Sequence, residues 1–187
     1  MKNLLIVIAA LAIISCSSNK QHELLRLYSC PIKFPSKARI TINSRDTVIS
    51  NFHDSKIKVV VYADATTCAS CEIKHLELWK PYIDSAKRVE FLSYYFILAP
   101  DKKDSISVMA TLKAFPLDYP ITLDYGQEFQ QLNDNLPQDK NFHSLILDKN
   151  NMVVLAGNPI HNLAIRNLFH KTLDNMARND GVYIPDN

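Results

Sequence analysis

Cysteine is scarce in this 187-residue chain: there are four, at positions 16, 30, 68 and 71. That is too few for a small domain stapled together by disulfides. Charge of either sign is not in excess, since 21 basic side chains meet 19 acidic ones for a net +2. Such a balance provides no field that would collect nucleic acid. No internal repeats or low-complexity tracts occur. The longest apolar run, Leu4 to Ile14, falls short of the about 20 residues that a stable membrane helix needs. No second pair of closely spaced ligands accompanies the Cys68, Cys71 pair, although zinc usually takes four protein ligands, or three and a water. With 47% hydrophobic and 21% charged residues, the chain nevertheless has the composition of a folded domain rather than a disordered one.

The most informative feature present is Cys68-Ala69-Ser70-Cys71. It follows the strand-like run Val59-Val60-Val61-Tyr62 and opens an amphipathic helix with Ile73, Leu76, Trp79 and Ile83 on one face. A helix start carries unpaired N–H groups and partial positive charge, which favour a thiolate. The thiolate is the species that attacks disulfides. A second sulfur one turn on can close an internal disulfide if its Cα lies within about 6 Å of the first.

Around this motif the elements alternate. A short helix at 23–27 and two strands near 38–42 and 47–49, joined by Asn43-Ser44-Arg45-Asp46, precede a strand at Ile57–Tyr62. The helix after the cysteines carries Pro81, a potential kink. A strand at Phe91–Leu98 follows, then a helix capped near Asp104 with Val108, Met109, Leu112 and Phe115 inward. Ile121-Thr122-Leu123 reads as a short strand, with Asp124 as N-cap of a helix bearing Tyr125, Phe129 and Leu132. A hairpin, Ser144–Leu147 with Met152–Ala156, leads through Gly157-Asn158-Pro159 into a helix with Ile165, Leu168, Phe169, Leu173 and Met176 inward. This order predicts an α/β domain with a central mixed sheet and helices on both faces.

Lys2, the apolar run and Ile13-Ile14-Ser15-Cys16 resemble the lipobox of bacterial lipoproteins. The resemblance implies a signal peptide at 1–15, lipidation of Cys16 and a polar tether at 16–23 beginning Ser17-Ser18-Asn19. Beyond it come one domain at 24–180 and a loose tail at 181–187. The expected location is the cell envelope, lipid-anchored and periplasm-facing, with the outer membrane favoured.

A strand, a Cys-x-x-Cys opening the next helix and a late strand-turn-strand-helix are similar to the thioredoxin fold. Tyr119–Phe129, then Leu145–Val154 with Gly157 following, resemble its exported thiol-disulfide oxidoreductase and peroxiredoxin-like branch. The resemblance implies a three-layer α/β/α sandwich with an inserted strand-helix, Cys68 as attacking thiol, Cys71 as resolving thiol and no bound cofactor. Its implied partner is an exported thiol- or disulfide-containing protein, besides the membrane reached through the lipid. In this chain Thr67 replaces the usual Trp, Tyr62 stands where many members bury an acid, and the position of the usual cis-proline falls on Phe142 beside His143. Thr67, Phe142 and His143 are therefore the substrate-groove candidates.

Two other readings use the same residues. A copper or zinc carrier would employ Cys68, Cys71 and His143, because thiolate and imidazole suit copper. A non-catalytic scaffold would keep the fold without a working groove. For the remaining singular residues the simpler roles are expected: Cys30 a buried or idle thiol, His75 a solvated helix residue, Trp79 part of the core. Asp64, Thr66 and Thr67 are expected to cap the helix.

Overall fold

The computed structural model describes residues 20–36, 38–47, 54–86 and 91–185. The expected signal peptide, Cys16, the Val48-Ile49 part of the second strand and the last two residues of the tail lie outside these.

A helix α1 occupies residues 20–29, followed by strands β1 (Arg39–Ile42), β2 (Arg45–Thr47) and β3 (Ile57–Ala63). Then come α2 (Ala69–His75), α3 (Lys80–Ala86), β4 (Leu92–Leu98), α4 (Ser105–Ala114), β5 (Ile121–Leu123), α5 (Glu128–Leu132), β6 (Ser144–Leu147), β7 (Val153–Ala156) and α6 (Leu163–Arg178). The seven strands form one sheet in the order β2-β1-β5-β4-β3-β6-β7. The pairs β3–β4 and β4–β5 are parallel, and the other four neighbouring pairs are antiparallel. Among the described residues no helix is long and apolar enough to cross a membrane.

Side-chain alternation along the strands divides the core in two. Ile57 and Val59 of β3, with Tyr94, Phe96 and Leu98 of β4, face a layer containing Ile73, Leu76, Trp79, Val108, Leu112, Phe169 and Met176. Val60 and Tyr62, with Tyr95 and Ile97, face Leu27, Ile32, Phe129 and Leu136. Helices α2, α3, α4 and α6 thus cover one face, while α1 and α5 cover the other, giving three layers.

Several local expectations are corrected. Residues 20–23, expected as tether, are already helical. The Asn43-Ser44 turn is two residues long instead of four, because both adopt left-handed backbone (φ 48° and 63°), the geometry of a tight hairpin turn. The helix after the cysteines is broken: α2 ends at His75 and a 3₁₀ turn, Leu76–Trp79, precedes α3. Pro81 has no N–H to give to the Glu77 carbonyl, and Lys80 N–H takes that carbonyl instead.

Asp124 caps as expected, but α5 begins four residues later. Its carboxylate accepts from Glu128 N–H at 3.0 Å and Phe129 N–H at 2.8 Å across a turn that includes left-handed Gln127. Helix α6 starts at Leu163, capped by Asn162, whose Oδ1 accepts from Ile165 N–H. Phe115 and Leu168, expected inward, are 41% and 42% exposed. Phe115 lies beyond the last turn of α4 with the Lys74 ammonium 5.5 Å from its ring. On α6 the buried stripe runs through Phe169, Thr172, Asn175 and Met176, one residue round from Leu168.

The tail expected to be loose is fastened as far as it is described. Left-handed Gly181 (φ 82°) donates its N–H to Met176 O at 2.8 Å, closing the helix end. Buried Asn175 then grips the tail from both sides: Oδ1 accepts from Ile184 N–H at 2.9 Å, and Nδ2 donates to Ile184 O at 2.6 Å. Asn175→Ala therefore removes two hydrogen bonds at once and is expected to cost about 1–3 kcal/mol. Urea unfolding checks this, and proteolysis of native protein should cleave the variant's tail faster. An unchanged denaturation midpoint together with unchanged cleavage would refute the fastening.

Candidate active site

Strand β3 carries the chain through the sheet to Ala63, and the loop 64–67 turns it into α2. Cys68 stands at the N-cap with extended backbone (φ −65°, ψ 96°), and its carbonyl accepts from Glu72 N–H at 3.0 Å. It is disulfide-bonded to Cys71, with a Cα–Cα separation of 5.2 Å, comfortably within the range a disulfide requires. Both cysteines are exposed. The Cys71 N–H lies 3.3 Å from Cys68 Sγ; a donor placed there favours the anionic form of that sulfur after reduction. Ser70, inside the motif, accepts at 3.1 Å from Thr111 Oγ1 and so ties α2 to α4.

The loop before Cys68 is organised around one carboxylate oxygen. Asp64 Oδ1 accepts from Thr66 N–H at 3.0 Å, Thr66 Oγ1 at 2.9 Å and Thr67 Oγ1 at 2.8 Å. Lys140, from the 3₁₀ turn Lys140–Phe142 that precedes β6, places Nζ 3.1 Å from the same oxygen. That ammonium also donates to Thr66 Oγ1 at 2.6 Å and Thr67 Oγ1 at 2.8 Å. Burial alone would raise the Asp64 carboxyl, but hydrogen bonds from Thr67, Thr66 and Lys140, with the charge of Lys140, outweigh it and hold the pKa below the ordinary carboxylate value. The capping expected of Asp64, Thr66 and Thr67 is thus a closed network within the loop, clamped by a residue more than 70 positions away.

Two recesses flank this loop. One, of about 180 Å³, is lined by Tyr62, Ala63, Thr67, Glu72, Lys140, Asn141, His143 and Asn158. The other, of about 200 Å³, lies directly against Cys68 and is walled by Ala65, Pro100, Asp101, Asp104, Ser107 and Val108. A third recess, of about 280 Å³ and lined by Ile57, Tyr82, Leu92 and His170, sits at the opposite end of β3 and is remote from the cysteines.

The predicted groove residues separate. Thr67 and His143 line the first recess, whereas Phe142 packs half-buried against the second core cluster. At the entry to β6 it is His143 that faces Tyr62, accepting the Tyr62 N–H at 2.9 Å. The His143 ring is buried, with Nε2 2.8 Å from Pro137 O. A carbonyl only accepts, so Nε2 carries the proton. Its Nδ1 is buried without a hydrogen-bond partner among the described residues. Among the described residues no three His, Cys, Asp or Glu side chains converge as a metal site. The Cys68, Cys71, His143 set is not gathered as such a cluster: the two sulfurs are bonded to each other, and His143 Nε2 faces Pro137 O.

Cys30, expected as a buried or idle thiol, is exposed beyond the end of α1. His75 is exposed, 3.7 Å from Glu72 Oε1, and Trp79 is buried in the core. Lys140, Asn141, Asn158, Asp101 and Asp104 were not among the predicted site residues; no pattern links them to the cysteines, and the fold brings them there.

No family model matches the sequence, and no curated protein does. Solved structures are similar in fold. One described as a thiol:disulfide interchange protein, DsbE, from Chlorobium tepidum has a TM-score of 0.50 at 14% identity, over 75% of this chain and 95% of that one. A thioredoxin-like protein from Bacteroides caccae has a TM-score of 0.49 at 16% identity, over 85% and 56% of the respective chains. AhpC from Mycobacterium tuberculosis has 0.46 at 18%, over 79% and 99%. The chain has a thioredoxin-like fold, and its paired cysteines stand where β3 hands over to α2.

Proposed function

We propose that this protein is a thiol-disulfide oxidoreductase of the cell envelope, anchored by lipid at Cys16 and acting on exported proteins through Cys68 and Cys71. The observation that carries this reading is the exposed Cys68 at the β3–α2 junction, within bonding reach of Cys71. No bound cofactor is needed.

In the reducing direction, the Cys68 thiolate attacks one sulfur of a client disulfide. The bond between the client sulfurs breaks, and the departing sulfur leaves as thiolate and takes up a proton. Cys71 then loses its proton and attacks Cys68 Sγ, forming the Cys68–Cys71 disulfide and releasing the second client thiol. Two electrons pass from the pair to the client, and the reverse sequence oxidises a client dithiol. The recess that Cys68 itself lines provides room beside the reacting sulfur, with Asp101 and Asp104 on its wall, and a second polar recess containing Glu72 and Lys140 lies across Thr67.

Cys68→Ser should abolish turnover of an insulin disulfide, while Cys71→Ser should stop after one exchange and accumulate a mixed disulfide visible as a mass increase. Equal insulin turnover by wild type and Cys68→Ser would remove the catalytic assignment. A Cys71→Ser variant that traps no client would instead favour the scaffold.

The loop clamp has its own signature in stability. Asp64 is 21% exposed, and replacing it by Asn removes the charge that three donor groups and Lys140 surround; at neutral pH the expected loss is about 1–2 kcal/mol. A carboxyl whose folded pKa is depressed contributes fully above its unfolded value, near 4, and loses that contribution as pH falls through the folded value. The gap between wild type and Asp64→Asn in urea titrations should therefore be wide at pH 7 and close on acidification below about pH 4. A gap independent of pH would contradict this origin.

A further inference from the structure

The course of α1 determines where the chain enters the domain. Leu27 is fully buried in the cluster with Val60, Tyr62, Phe129 and Leu136, which fixes the helix against the sheet. Just beyond the helix, Ile32 N–H donates at 2.9 Å to Asn151 O, in the turn between β6 and β7. At its other end Lys20 Nζ lies 3.3 Å from Asp139 Oδ2. Asp139 precedes the 3₁₀ turn whose Lys140 and Asn141 line the recess beside Thr67, and its carboxylate accepts the Asn141 N–H.

β6 runs antiparallel to β3, with Ser144 opposite Val61, so the entry to β6 lies beside the exit of β3 towards Cys68. Helix α1 consequently starts at the end of the domain that carries the cysteines and runs away from it for about 15 Å, the length of ten helical residues. The Lys20–Asp139 pair is exposed and adds little energy; it marks the position. Cys16 is four Cα–Cα steps before Lys20, a span of at most about 15 Å.

We propose that the lipid holds the Cys68 face of the domain close against the bilayer, and that the client is an integral membrane protein presenting its thiol or disulfide at the bilayer surface. This rests on the reading of the chain as a lipid-anchored oxidoreductase. A short tether leaving at the catalytic end gives membrane-embedded clients a high effective concentration at Cys68, while a soluble client must enter the narrow space between domain and lipid. Ile106, 83% exposed on α4 next to the Ser107 and Val108 that wall the Cys68 recess, adds an apolar side chain to that end.

The test uses full-length lipidated protein on phosphatidylethanolamine/phosphatidylglycerol vesicles carrying a headgroup-linked acceptor dye. A donor dye is placed on Cys68 in a Cys30→Ser, Cys71→Ser background. For comparison it is placed on Ser85→Cys with the other three domain cysteines changed to Ser; exposed Ser85 lines the recess at the opposite end of the sheet. Energy transfer from position 68 should exceed that from position 85 several-fold. A flexible Gly-Ser spacer of about 20 residues inserted between Ser18 and Asn19 should erase most of the difference. Equal or reversed transfer, with the protein floating on vesicles and Cys16→Ser not floating, would overturn the orientation and leave the anchor intact. Failure of the lipidated preparation to float, or equal flotation of Cys16→Ser, would remove the anchor and this inference together. A vesicle-embedded helical peptide bearing a surface disulfide should be reduced several-fold faster than the same disulfide on a soluble peptide; equal rates would overturn the assigned client class.

Discussion

The position of Cys68 depends on how β3 is held. The strand is hydrogen-bonded on both edges, parallel to β4 over its whole length and antiparallel to β6 over its central residues. It is also buried on both faces by two separate apolar layers. A strand so confined cannot slide, because a shift of one residue would turn each inward set to the wrong layer. Its last residue therefore presents the following loop at a fixed point, and the exposed sulfur inherits that position from the most deeply buried part of the protein.

What the strand fixes on one side, the Asp64 and Lys140 network fixes on the other. The loop into the cysteines and the turn into β6 belong to chain segments far apart in sequence, yet they share three hydroxyl or carboxylate oxygens with a single ammonium. Such a network can hold a loop without covering it, because its members satisfy one another and leave the sulfurs open. Thr111 Oγ1 donating to Ser70 Oγ does the same for the far side of the motif, fastening α2 to α4. The site is held by polar contacts around its rim, and both cysteines remain exposed.

Much was legible in the residues themselves. The apolar run Val59–Tyr62 of β3, the Cys-x-x-Cys after it and the strand-turn-strand-helix near the end suffice to place the elements in order. Short-range chemistry was legible as well, as in the capping by Asp124, and the turn after β1 was placed correctly but read as four residues where two suffice. The misjudged features depend on neighbours distant in sequence. Phe115 and Leu168 fit an inward helical stripe by spacing, but the surface each faces is decided by what packs there. Lys58 directly precedes the apolar run and is almost fully buried; burial lowers its pKa, while Asp148 and Asp54 act in the opposite direction. No spacing rule announces that a lysine will be enclosed there. The tail was misjudged for the same reason, since Asn175 reads as an ordinary polar helix residue until Ile184 folds back upon it.

By itself the sequence determined the class of fold, the location of the paired thiols and the strand that presents them, because these follow from hydrophobic periodicity and from residues that are neighbours along the chain. Only the tertiary structure decided that His143 gives its ring proton to Pro137 O, that Phe142 packs half-buried against the core, and that Lys140 and Asp139 join the cysteine-bearing end to the start of α1. Hydrogen bonds and ion pairs between distant segments are specified by three-dimensional approach, to an accuracy of a few tenths of an ångström, and a one-dimensional pattern does not contain that distance.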